Sequence, residues 1–314
     1  MTKPLPSAFL DRLSAFLSEP EFRAVLAGFS ADRPSSFRVN PLKSDAATVE
    51  AELVKKGIPF EKYSPIPGAY LIPKESEYAL KGTDAYYGGK IYVQGLSSMV
   101  PTMFLDLKPG SRVLDACAAP GSKTTQIAAM LKGTGEIVAL EKHQIRYDKL
   151  AHNCKLQGAT NVRTVKTDAL AYLVHGMNGS FDAALLDAPC SAEGRIRTDD
   201  ERTFGFWTEK NVLEKAAAQS ELLSMAFKSL NAGGSLVYAT CTLAPEENEA
   251  VVSALLAEFP SAVLEPCELD VPGARKGLSG FRGMKFPAEI SRTLRILPSY
   301  WFEGFYVAKI RKRA

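Results

Sequence analysis

Arg112-Val113-Leu114-Asp115-Ala116-Cys117-Ala118-Ala119-Pro120-Gly121-Ser122-Lys123-Thr124-Thr125 decides the architecture. Four residues of a short, buried-type strand run into a loop of small residues. A helix predicted over residues 122–131 follows. The rhythm then repeats. Residues 136–140 read as a second strand, with a helix after it that Gly158 stops. Residues 162–165 and 181–186 read as the third and fourth strands. A long helix over residues 208–230 is expected to stop at Asn231-Ala232-Gly233-Gly234. A fifth strand then covers 235–239 and a helix covers 245–259. Residues 292–297 and 304–310 are expected to close the sheet as an antiparallel pair. Strands alternating with helices imply βαβ units and a mostly parallel sheet covered on both faces.

Upstream the pattern differs. Residues 7–26 carry helical apolar spacing, residues 36–40 read as a short strand ended by Pro41, and residues 45–56 read as a helix capped by Asp45. Residues 58–73 hold four prolines and short β-like runs. The expected organisation is a small α+β N-terminal RNA-binding or accessory domain over residues 1–105 and an α/β catalytic domain over 106–314. The 314 residues, 46% hydrophobic and 23% charged, supply a sizeable core and exclude a disordered or fibrous chain. The charge-free run over 91–105 is broken by Gln94, Gly95, Ser97, Ser98 and Pro101, so no membrane span is expected, and the N-terminus lacks a signal-peptide apolar core. Five cysteines without a Cys-x-x-Cys pair suggest a reduced, cytoplasmic chain with no zinc ribbon. His143, His152 and His175 show no metal-ligand spacing.

Ligands of open α/β sheets bind beyond the carboxyl ends of the strands. Here those ends deliver the loop 116–123, Glu141, Asp168, Asp187-Ala188-Pro189-Cys190 and Thr240-Cys241-Thr242. Singly, each reads as a capping acid or an inert thiol; together they mark one reactive edge. The first loop lacks Gly-x-Gly-x-x-Gly and the P-loop pattern, which disfavours a dinucleotide and excludes a P-loop nucleotide site. Glu141 follows Gly121 by 20 residues, the spacing at which an acid on the second strand meets ribose hydroxyls. A nucleoside-bearing cofactor without pyrophosphate points to S-adenosyl-L-methionine.

Three motifs carry a family resemblance: residues 115–125 quoted above, Asp187-Ala188-Pro189-Cys190-Ser191-Ala192-Glu193-Gly194, and Tyr238-Ala239-Thr240-Cys241-Thr242-Leu243 with Glu246-Glu247-Asn248-Glu249. Tyr92-Val93-Gln94-Gly95-Leu96-Ser97-Ser98-Met99, Gly304-Phe305-Tyr306-Val307-Ala308-Lys309 and Arg38-Val39-Asn40-Pro41-Leu42-Lys43 extend it over most of the chain. The sequence resembles the NSUN (Sun-type, RsmB/RsmF-like) RNA cytosine-5 methyltransferases. Ser122 and Ala192 depart from the family, which usually has glycine at both places. The resemblance implies a Rossmann-like class I methyltransferase fold with a mostly parallel seven-stranded sheet, RNA (rRNA or tRNA) as substrate, no metal and a monomer. The family's C-terminal RNA-binding appendage is not expected here, because the sequence ends with the catalytic fold.

Cytosine C5 is a poor nucleophile until a group adds at C6, so a thiolate is required, then an acid near N3 and a base for the C5 proton. Two thiols fit the first task, and their types alone do not choose between them: DNA cytosine-5 methyltransferases attack with a Pro-Cys thiol. The RNA family's pattern implies that Cys241 attacks and Cys190 assists release. It also implies that Asp187 meets the cytosine edge and Lys123 the target base; an exposed helix-start lysine is the plain alternative. Cys117, Ala118, Ala119, Pro120, Gly121, Ser122 and Lys123 would surround the methionine part of the cofactor. Glu141 would bind the ribose, Asp168 the adenine amino group, Asp187 would also border the cofactor, and Arg146 would contact Glu141 or the cofactor. Cys154 and Cys267 match no motif.

Residues 271–314 contain ten Lys/Arg and two Glu, a net +8, which leaves the preceding 270 residues at −5 within the chain's +3. That basic end is a candidate phosphate surface. Arg38, Arg195, Arg197, Arg202, Trp207 and the stretch 275–285 are candidate RNA contacts, with Asp199-Asp200-Glu201 as possible internal partners of the loop arginines and helix packing as the alternative for Trp207. Two rivals stand beside this reading: a methyltransferase acting on DNA or a small molecule, and a non-catalytic RNA-binding scaffold.

Overall fold

The computed structural model describes residues 4–175 and 178–313. The small sheet comprises β1 (Ser35–Val39), β2 (Glu61–Lys62), β3 (Ala69–Ile72) and β4 (Ile91–Val93), in the order β2-β3-β1-β4. The helix over residues 46–55 packs on it through Val49 and Leu53, and Asp45 caps that helix by accepting from Thr48 N at 2.8 Å. Tyr70 stacks on Phe37 with ring centroids 5.1 Å apart.

The large sheet holds nine strands: β5 (Arg112–Asp115), β6 (Glu136–Glu141), β7 (Val162–Lys166), β8 (Phe181–Asp187), β9 (Leu230–Thr240), β10 (Ala262–Glu265), β11 (Ala274–Lys276), β14 (Leu294–Ile296) and β15 (Phe305–Lys312). Between them β12 (Gly280–Phe281) and β13 (Met284–Lys285) form a separate hairpin. The order β11-β14-β15-β9-β8-β5-β6-β7, with β10 on β15, exceeds the seven strands expected. Five strands, β5 to β9, are mutually parallel; the other four pair antiparallel. The additional strands, β10 and β11, are short and lie at the sheet's margin, where apolar alternation is weak.

The central strands read as unbroken apolar runs because both faces are buried. Val113, Ile137, Ala139, Ala183, Leu185 and Val237 enter one core. Their neighbours Leu114, Val138, Leu140, Ala184, Leu186 and Leu236 enter the core on the opposite face. Two boundaries differ from the expectation. Residues 231–234 join β9 as its irregular start, opposite a register shift in β8, instead of standing outside it. The last helix begins only at Glu249, because residues 245–248 form a turn closed by backbone bonds from Glu247 N to Ala244 O and from Asn248 N to Pro245 O.

The helices Ser7–Ser14 and Glu19–Ser30 pack with Ile196, Phe204, Trp207, Val212 and Leu243, beneath the loops that follow β8 and β9. Ser18 and Glu21 form a capping box that starts the second of them. Arg38 is not at the surface. It is 3% exposed and donates to Gln94 Oε1 at 2.9 Å and Thr125 Oγ1 at 2.6 Å. Asn40 donates to the Gly89 and Gln157 carbonyls. The Arg-x-Asn signature therefore docks the small sheet on the catalytic unit, and Arg38 is withdrawn as an RNA contact.

Candidate active site

Strand order reverses between β5 and β8, and the crevice at such a switch point is where α/β sheets bind ligands. A cavity of about 710 Å³ opens there. Its wall brings together Cys117, Ala118, Ala119, Pro120, Ser122, Lys123, Arg146, Asp187, Cys190 and Cys241. Gly121 is not among its wall residues. That residue has φ +102° at the start of the helix 122–130, and a Cβ there would meet Leu150 at 3.1 Å, so glycine is required.

Lys123 is 6% exposed, which removes the exposed-lysine alternative. Its Nζ donates to Asp187 Oδ2 at 2.7 Å and Ser98 Oγ at 2.9 Å, and lies 5.5 Å from the centre of the Phe305 ring. Cys190 Sγ and Cys241 Sγ are 3.2 Å apart. The contact with Cys241, reinforced by burial, pushes the Cys190 thiol well up. Ala188 N donates to Ala239 O at 2.9 Å and Gly194 N to Cys241 O at 2.9 Å, which ties the two thiol loops side by side. Ala192 takes φ +60°, the left-handed region, which is the physical reason for glycine at that place in the family pattern.

Asp115, which sequence reasoning did not single out, also lines the cavity. Burial pushes its carboxyl up to about 6, against the pull of the Thr124 hydroxyl at 2.7 Å. Its position as the last residue of the first strand was the available signal. Ser98 and Phe305 are further wall residues whose motifs were visible without a role, and Glu303, just ahead of the last motif, joins them.

Glu141 and Asp168 lie outside the lining, at the ends of the adjacent strands β6 and β7. Glu141 is 5% exposed, accepts from His143 N at 2.8 Å and pairs with Arg146 at 3.3 Å. Arg146 also donates to Ala119 O at 2.9 Å, so it links the strand-two acid to the first loop. Asp168 Oδ1 caps the helix Ala169–Val174, accepting from Leu170 N at 2.9 Å, and Oδ2 faces Lys142 at 3.6 Å.

The basic candidates are largely spoken for. Arg197 pairs with Asp199 and Arg202 with Asp200, both at 2.8 Å. Trp207 is buried, donates to Glu193 Oε1 at 2.8 Å and meets Phe9 edge-on, so it packs. Arg275 pairs with Glu21 at 2.7 Å, Arg282 with Glu209 at 3.2 Å, and Lys309 and Arg311 with Asp106 and Glu265. Arg295 is buried against Glu249. Five of the ten basic residues of this stretch, Arg275, Arg282, Arg295, Lys309 and Arg311, are thus paired internally. Arg195 keeps its place at the cavity, 3.6 Å from Glu303.

A family profile described as 16S rRNA methyltransferase RsmB/F matches residues 102–311. The chain belongs to that family. It is 38% identical to ribosomal RNA small subunit methyltransferase F of Cronobacter sakazakii over 99% of the chain and 64% of that protein. The same enzyme of Escherichia coli O127:H6 is also 38% identical, over 98% of the chain and 63% of its own length. The chain therefore spans just under two thirds of these curated relatives. A methyltransferase homologue from Pyrococcus horikoshii superposes with TM-score 0.86 at 31% identity, covering 98% of this chain and 95% of that one. NSun6 from the same organism shares the fold, with TM-score 0.82 at 24% identity over 98% of both chains.

The fold is that of class I S-adenosyl-L-methionine-dependent methyltransferases, and this RsmB/F chain's cofactor is S-adenosyl-L-methionine. The donor set fits it: a small-residue loop that admits close approach and the carboxylates of Asp115 and Asp187 for a sulfonium charge. Among the described residues no group of three ligand side chains is placed to hold a metal, and no helix is long and apolar enough to cross a membrane.

Proposed function

We propose that the chain methylates C5 of a cytosine in ribosomal RNA of the small subunit, through a covalent bond between Cys241 and C6. The observation that carries this reading is the pair of thiols 3.2 Å apart in one cavity with the Lys123–Asp187 pair. The names of the relatives favour ribosomal RNA as the substrate class. S-adenosyl-L-methionine, when bound, supplies an electrophilic methyl group; the loop of residues 117–122, Glu141, Arg146 and Asp168 would hold it.

Cys190 Sγ and Cys241 Sγ share a contact in which either can donate, and the Cys241 sulfur, once it has given up its proton, attacks C6. The target base must leave its stack to reach this cavity, at a cost of a few kcal/mol. Asp187 faces the edge of the base near N3, and Lys123 beside it compensates the negative charge that the ring gains on attack. After methyl transfer Cys190 stands beside the carbon–sulfur bond, placed to assist removal of the C5 proton and expulsion of Cys241.

The test separates the two thiols. Cys241→Ala should form no covalent RNA adduct. Cys190→Ala should attack and methylate but fail to release, giving a protein–RNA band that survives denaturing electrophoresis. The double variant should show none. A stable adduct in Cys241→Ala and none in Cys190→Ala would reverse the assignment and favour the DNA-type arrangement. Mapping 5-methylcytosine by bisulfite sequencing in a strain lacking the gene identifies the base.

A further inference from the structure

The residues on both sides of both thiols are tied to one buried block. Gln219, in the helix Glu209–Lys228, donates to the Pro189 carbonyl at 2.9 Å and to Glu247 Oε2 at 2.8 Å. Glu247 accepts from Ser191 N at 3.0 Å and also from the Ser191 hydroxyl, which lies 2.7 Å from the Thr242 hydroxyl. Asn248 accepts from Thr240 Oγ1 at 2.6 Å and donates to Thr242 O at 3.1 Å. Pro189 and Ser191 flank Cys190; Thr240 and Thr242 flank Cys241. Gln219, Glu247 and Asn248 are each 0% exposed.

An apolar cluster would fill this space at less cost, since burying a carboxylate is unfavourable and burial does push Glu247 upward. Apolar packing is non-directional, however, and would leave the two loops free to slide. Hydrogen bonds fix direction as well as distance. We propose that Gln219, Glu247 and Asn248 are positioning residues that set the separation of the two sulfurs, so that one cytosine meets both. The biological consequence rests on the function proposed above; the spacing itself is tested without RNA.

Phenylarsine oxide is the probe. It condenses with two neighbouring thiols, forming two As–S bonds while its oxygen leaves as water with the two thiol protons, and no redox change occurs. The whole protein should take up one arsenical bridging Cys190 and Cys241, read by mass spectrometry of the bridged peptides. Cys190→Ser and Cys241→Ser should each lose the bridge. Glu247→Gln replaces one acceptor oxygen by a donor and should lose the arsenical to a monothiol competitor about tenfold faster, as removal of a buried hydrogen bond allows. In the RNA assay the same variant should slow both adduct formation and release, whereas Cys190→Ala slows release alone. A folded Glu247→Gln, by near-ultraviolet circular dichroism, that holds the arsenical as tightly as the parent overturns the proposal. Should Glu247→Gln not fold, Ser191→Ala and Gln219→Met carry the same expectation and the same refutation. Weakened arsenical retention in these variants, together with a parent enzyme that methylates no RNA, would uphold the spacing and remove the proposed function.

Discussion

Arg295→Met removes one member of an ion pair that water does not reach. Arg295 and Glu249 side chains are 1% and 0% exposed, and the guanidinium makes two charge-assisted hydrogen bonds to the carboxylate. A further donor of Arg295 reaches the Leu243 carbonyl at 2.9 Å, two residues beyond Cys241. Methionine keeps most of the aliphatic stem but loses the guanidinium, whose central carbon lies 5.3 Å from the Phe16 ring centre and 5.7 Å from that of Tyr306. The charge goes with it, and Glu249 retains the hydrogen bond from Leu278 N at 3.0 Å. Stranding one member of such a pair costs about 3–5 kcal/mol. Removing both charges in Arg295→Met with Glu249→Gln leaves an amide that still accepts from Leu278 N, and should recover much of that loss. Urea unfolding of the parent, both single variants and the double variant gives the cycle. A single Arg295→Met variant within about 1 kcal/mol of the parent, the range of an exposed pair, would refute the claim that this pair is desolvated and anchors the chain after Cys241.

Glu141→Ala should weaken S-adenosyl-L-methionine binding in calorimetry while the domain stays folded; unchanged affinity would remove Glu141 from the cofactor site. Neutralising Arg275, Lys276, Arg282 and Lys285 together should change the salt dependence of RNA affinity by no more than about two phosphate contacts, because Arg275 and Arg282 already hold Glu21 and Glu209. A loss of slope equivalent to all four contacts would make this stretch an RNA surface. Glu193, buried with Trp207 Nε1 as its donor, has its carboxyl pushed up from 4.5 to about 7 by burial. Its folded pKa exceeds the unfolded one, so its contribution is fully present below about pH 4.5 and is lost as pH rises to about 7. Glu193→Gln should flatten that fall relative to the parent in denaturant midpoints across this window, and an identical pH profile would show that Glu193 does not titrate there.

The parallel strands were legible because two-sided burial writes unbroken apolar runs, and each run ends where the chain must turn over the crevice. That is why Asp187, Cys190 and Cys241 stood out at strand ends before any contact was known. Charge was less legible. Lys309 and Arg311 count toward a basic end, yet they are paired with Asp106, some 200 positions earlier, and a composition cannot show a partner so distant. Arg38 reads as surface charge for the same reason, although its acceptors Gln94 and Thr125 lie on other elements. Gln219 was invisible: a glutamine on the apolar side of a long helix carries no motif, and its meaning comes only from the Pro189 carbonyl and Glu247 that it meets.

The two helices over residues 7–14 and 19–30 bear on how the chain is made. Arg12 finds Glu246 across 234 positions, and Phe9 and Phe29 finish their core with Trp207, Leu243 and Leu297. During synthesis these apolar faces emerge well ahead of their partners Ile196, Phe204, Trp207, Val212, Leu243 and Leu297. Contacts of such separation make folding slow and leave a sticky surface uncovered in the interim. The segment that packs beneath the thiol loops in the folded chain is thus one whose apolar face stays uncovered until those loops have been made.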